Sequence, residues 1–172
     1  MKGIEAVRAA LGFSDQSVKL LETMKDAPLT QPGPFGGNHA MWILGHLTVA
    51  EGRLHKILFG TPNPVEPWKL LFDWGSKPRT DPSAYPAFDE VLQTYRGLRA
   101  KTLAFLEEVG DKGLDQPTKM APPGLEAPFA TVGKAMLTIA LHQSFHGGEA
   151  AVARRASGQQ PVFIPSKELR EF

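Results

Sequence analysis

Hydrophobic positions along the chain fall into four runs with helical spacing, separated by stretches rich in proline and glycine. The first covers about Ile4 to Met24, where Val7, Leu11, Val18 and Leu21 recur near the 3.6-residue period that lines one helix face. Gly12-Phe13-Ser14 reads as an interruption, with Ser14 capping a restarted helix, and Pro28 stops the run. Asn38 is the expected cap of a second helix, "HAMWILGHLTVAEGRLHKILF", whose inward positions are Ile43, Leu47, Leu54 and Leu58. Gly60 and Pro62 end it. A third helix spans about Ala87 to Val109, with Val91, Tyr95, Leu98, Thr102 and Phe105 on its stripe and Gly110 closing it. Thr131 caps a fourth, about Val132 to Ala156, which Gly158 ends.

Nothing alternates with a period of two over a useful length, no βαβ order is visible and no segment repeats. Amphipathic helices of this length predict an all-α fold, a four-helix bundle, with residues 1–172 forming one domain. Two segments complicate that picture. Residues 60–84, "GTPNPVEPWKLLFDWGSKPRTDPSA", are long for a connection, and Trp68, Leu70, Leu71, Phe72 and Trp74 make them too apolar to stay in solvent. They are expected to pack, partly as a short helical turn, and to shape a pocket. The tail, Gln159 to Phe172, carries Pro161, Val162, Phe163, Ile164 and Pro165 and is expected to lie back on the body.

Charge narrows the range of partners. Nineteen basic and eighteen acidic residues give a formal net charge of +1, and the one local basic pair, Arg154-Arg155, is too small for a phosphate-binding surface. Nucleic acid is therefore not an expected partner. No run approaches ~18 apolar residues and no leader with a cleavage site is visible, so the expectation is a cytoplasmic protein without a membrane span. Cysteine is absent, which removes disulfides, thiolate nucleophiles and Cys-ligated zinc. A metal would have to be held by nitrogen and oxygen.

The candidate chemistry lies in the histidines. His142 and His146, four apart in "LHQSFHGGEAAVARRASGQQP", share one face of the fourth helix and can reach one divalent ion. His46, in the middle of "WILGHLTVAEG", is the candidate third ligand from the second helix. The competing reading is three core histidines bonded to carbonyls or carboxylates. His39 is too far along the second helix to join them and is expected near its start, capping or in solvent. His55 points to the opposite face and is expected at the surface, as is Glu51. Glu149, three after His146, can orient an imidazole, act as a base, or simply pair with Arg53, Arg154 or Arg155. Gly147 and Gly148 suggest a close approach by backbone or substrate, and Trp42 a pocket wall. The second residue of an HExxH motif is Gln143 here, and no Glu precedes a His by three, so a zincin and a ferritin-like di-iron site are both excluded.

The features "LGHLTVAEGRL", "LHQSFHGGEAAVARRASGQQP" and the leading "PLTQPGPFGG" resemble the DinB-like (DinB/YfiT) superfamily over nearly the whole chain. The resemblance implies an up-down-down-up bundle, a homodimer, and a mononuclear divalent metal on His46, His142 and His146. Histidine-only ligation without a thiolate suits zinc, nickel, iron or copper; zinc or nickel is the expectation, with iron and manganese as alternatives. The resemblance also implies an enzyme of hydrolase or thiol S-transferase type acting on a small molecule, with a low-molecular-weight thiol as cosubstrate. The alternative is a non-catalytic metal- or ligand-binding stress-response protein. Relatives often carry Gly-Gln after the last histidine, where this chain has Gly147-Gly148-Glu149.

Overall fold

A computed structural model describes residues 2–33 and 36–160. Its helices are α1 (Gly3–Glu22), α2 (Ala40–Phe59), the short α3 (Lys69–Phe72), α4 (Phe88–Gly113) and α5 (Val132–Ala156). No strand forms among the described residues, so the all-helical expectation holds. None of these helices is long and apolar enough to cross a membrane.

Helix α2 is the centre. Seventeen of its 20 residues are buried, because from Ala40 to Ala50 it carries no charge on any face. Around its first half pack Leu21, Met24, Phe72, Val91 and Leu98; around its second half pack Leu11, Leu106 and Met136. Ser17 of α1 and Thr23, which caps its end, meet Gln143 and Arg154 of α5 in ascending order, so these two helices run the same way. Ile4, Arg8 and Glu22 meet Asp111, Glu107 and Arg96, so α1 and α4 run in opposite directions. The 60–84 segment packs as anticipated, with Phe72 fully buried at the end of the one-turn α3.

A polar network crosses the middle of the bundle. Arg99 of α4 contacts Glu51 of α2 at 3.4 Å and Asp15 of α1 at 3.1 Å. It also donates to the Tyr95 hydroxyl at 2.9 Å and to Gln143 Oε1 of α5. Gln143 Nε2 donates to Glu51 Oε2 at 3.1 Å, and Thr102 Oγ1 to Glu51 Oε1 at 2.5 Å. Each long helix thus contributes a polar group to one buried cluster, where unpaired groups would be costly.

The structure corrects several expectations. Glu51 and His55, expected at the surface, are 0% and 3% exposed. Face assignment from periodicity presumes a solvent side, and α2 has almost none. His55 Nε2 instead lies 3.0 Å from the Leu98 carbonyl and 3.1 Å from Thr102 Oγ1. Ser14 does not restart a helix: α1 is continuous, and the buried Ser14 hydroxyl bonds the Leu11 carbonyl and Gln143. The cap of α2 is His39, whose Nδ1 accepts from Trp42 N–H at 3.1 Å; Asn38 reaches Glu149 instead. Gly110 breaks α4 with a positive φ, and one further turn leads to Gly113. Thr131 caps α5 as expected. The expected packing of the tail falls on 161–172, outside the described residues.

The buried polar groups have measurable consequences. Glu51→Leu leaves Arg99 in the core with Asp15 as its only carboxylate, at a cost of roughly 3–5 kcal/mol. The double variant Glu51→Leu/Arg99→Leu should cost clearly less than the two single changes summed, in urea unfolding with chelator present. Burial also holds the pKa values of His39 and His55 below the ordinary 6.5. Above pH 6.5 both folded and unfolded rings are neutral; below it only the unfolded chain takes the protons. The urea midpoint of metal-free protein should therefore fall as pH drops below 6.5, and less steeply in His39→Gln/His55→Gln.

Candidate metal centre

His46 comes from the middle of α2, His142 and His146 from successive turns of α5. The structure brings the three together inside the bundle. His142 Nε2 lies 3.2 Å from His46 Nε2 and 3.2 Å from His146 Nε2, and one nitrogen of each ring falls within 4.8 Å of the others. The ring centroids are 4.7–5.1 Å apart. Two nitrogens bound to one zinc at about 2.0–2.1 Å and a tetrahedral angle sit about 3.3 Å apart, so the spacing fits a shared ion.

The outer nitrogens decide which way the lone pairs point. His46 Nδ1 is 2.7 Å from the Phe72 carbonyl oxygen, which can only accept, so Nδ1 carries the proton. His146 Nδ1 is 2.8 Å from Glu149 Oε2, again an acceptor. In the neutral rings, both Nε2 atoms are therefore bare and face His142. The Nδ1 of His142 is buried without a partner, so this ring, unlike the other two, has no acceptor that holds its proton outward. Burial, above all, pushes the pKa of His46 down and that of His142 to about 3; the nearby imidazoles and the Arg53 guanidinium push the same way. Both rings are neutral at pH 7, the form a metal needs.

Neighbours hold these partners in place. A Cβ on Gly45 would lie 2.2 Å from the Phe72 ring, so only glycine lets that ring sit against α2 and aim its carbonyl at His46. Trp42, read from sequence as a pocket wall, stacks on the His46 ring at 4.7 Å with planes 9° apart, and its Nε1 donates to Ser76 Oγ. Glu149 accepts from Asn38 as well as His146, and not from Arg53, which pairs with Asp73, nor from Arg154, which bonds Thr23 and the Gln160 carbonyl. A Cβ on Gly147 would lie 2.6 Å from Ser17 Oγ, which explains that glycine as a close approach of α1. Gly148 has open space, so among the described residues its expected close approach is absent. His39 and His55 lie apart from the cluster, buried on the Arg79 and Leu98 carbonyls.

Sequence reasoning missed the Phe72 carbonyl, Gly45, Asn38 and Gln143. The mid-helix glycine directly before His46 was the one visible signal for the first two. A backbone acceptor has no residue type to mark it.

Comparison with known proteins gives the chain a family. No curated protein and no solved structure matches the chain. The family model of the DinB superfamily matches residues 14–150, a span that holds all three histidines and Glu149. The chain belongs to the DinB superfamily.

Proposed function

We propose that this protein is a mononuclear divalent-metal-dependent enzyme, of hydrolase or thiol S-transferase type, with His46, His142 and His146 as ligands. The observation that carries the reading is the convergence of three Nε2 atoms, two of them stripped of protons by acceptors behind the rings. Three neutral nitrogens with no thiolate suit zinc or nickel, and also iron or manganese. When bound, the ion supplies Lewis acidity to a polar group of the substrate. The Phe72 carbonyl and Glu149 fix the orientation and tautomer of His46 and His146. Glu149 sits on the outer nitrogen, away from the converging lone pairs, which favours orientation over a role as base.

With no cysteine in the chain, a thiol would have to arrive as cosubstrate. The exposed stripe Leu137, Leu141, Phe145 and Val152 along α5 supports a homodimer.

The test is elemental analysis. The parent protein should hold close to one equivalent of zinc or nickel, and His46→Ala, His142→Ala and His146→Ala each less than about a tenth of that. Gly45→Ala touches no ligand; by displacing Phe72 it should weaken metal affinity about 10- to 100-fold while helical content stays unchanged. Equal metal content in parent and histidine variants would defeat the assignment.

A further inference from the structure

One cavity reaches the histidines. Its volume is about 430 Å³, within the range of small-molecule sites, and His142 is the one member of the three that lines it. Ala50 and Arg53 lie four and seven residues after His46, and Ile139 and Thr138 three and four before His142, so the cavity runs along both helices away from the cluster. Its outer wall is almost wholly apolar: Trp74, Leu125, Phe129 and the prolines 122, 123 and 128.

Few polar groups line this cavity. The Thr138 hydroxyl already donates to the Pro128 carbonyl at 3.0 Å. Asp73 accepts from Arg53 and from the Trp74 N–H. Arg53 is different. Asp73 takes its Nη2 alone, its side chain is 29% exposed, and its guanidinium stands 5.9 Å from the Trp74 ring centroid. A guanidinium has five donors, so several remain for a ligand. Its partner Asp73 directly follows Phe72, whose carbonyl meets His46 Nδ1, so the Arg53 side chain reaches back toward the histidine end of the cavity.

We infer that this cavity binds a small, mainly apolar monoanion, with its oxyanion on Arg53 beside His142 and its apolar body against Leu125, Phe129 and the proline wall. One guanidinium partly offset by Asp73 suits a single negative charge and not a polyanion. Binding stands on the cavity alone; calling the ligand a substrate rests on the metal reading above.

The test uses two probes that differ by one sulfonate: 1-anilinonaphthalene-8-sulfonate, and neutral N-phenyl-1-naphthylamine. Full-length protein should bind one equivalent of the sulfonate probe and show energy transfer from tryptophan, reduced in Trp74→Phe without loss of binding. Arg53→Gln should weaken the sulfonate probe at least about ten-fold and the neutral probe less than about two-fold. Thr138→Phe and Leu125→Trp, which fill the cavity, should abolish both, with circular dichroism confirming the fold. Equal loss of both probes in Arg53→Gln, no loss in it, or full binding by the filled variants would overturn the site. Metal is measured on the same samples. Probe binding as expected with no metal overturns the proposed function alone, and metal without discrimination between the probes overturns this site alone.

Discussion

The arrangement depends on where two protons sit. His46 and His146 each have an acceptor behind the ring, the Phe72 carbonyl and the Glu149 carboxylate, so their protons are held outward and their lone pairs inward. Without those acceptors either ring could turn its N–H toward His142 Nε2, which lies 3.2 Å from both, and the lone pair that a metal needs would point away. Much of the irregular chain is explained by holding the acceptors still. Residues 60–84 bury Phe72 against Gly45, and the segment before α2 brings Asn38 to Glu149. These connections belong to the site as much as the helices do.

The rings must also meet, which requires α2 and α5 to keep one register. An apolar interface tolerates sliding and rotation; a buried network of mixed charges and amides does not. Gln143, next to His142, bonds Glu51, five residues beyond His46, and Arg99 ties both to α4. Such a cluster adds little net stability over apolar replacements, so what it supplies is register. A one-residue rotation of α5 would unpair Gln143 and scatter the imidazoles together.

How much of this was legible depends on what each signal encodes. Helix positions and the HxxxH pair are local patterns, and the four long helices and the meeting of His142 with His146 could be read directly. Joining His46 to them needed only its central place in an uncharged stretch. Glu51 and His55 were misread because periodicity assigns faces only where one face meets water, and α2 is surrounded. Gln143 registered only as the residue that breaks a zincin motif; its partners come from three other helices. The Arg53 cavity needed the 120–129 segment to fold over α2 and α5, which no spacing announces.

Charge balance links the centre to its cavity. Three neutral imidazoles leave the whole 2+ charge of a bound ion uncompensated by its ligands. Glu149 is the one carboxylate hydrogen-bonded to these rings among the described residues, and Asp73 is committed to Arg53. An ion here therefore leaves the histidine end of the cavity positive, with the Arg53 guanidinium adding to it. A cationic or neutral ligand would leave that field in place, in surroundings too apolar for water to screen it well. An anion drawn in from solvent would offset it, so a metal held by three neutral imidazoles would itself favour an anionic ligand beside it.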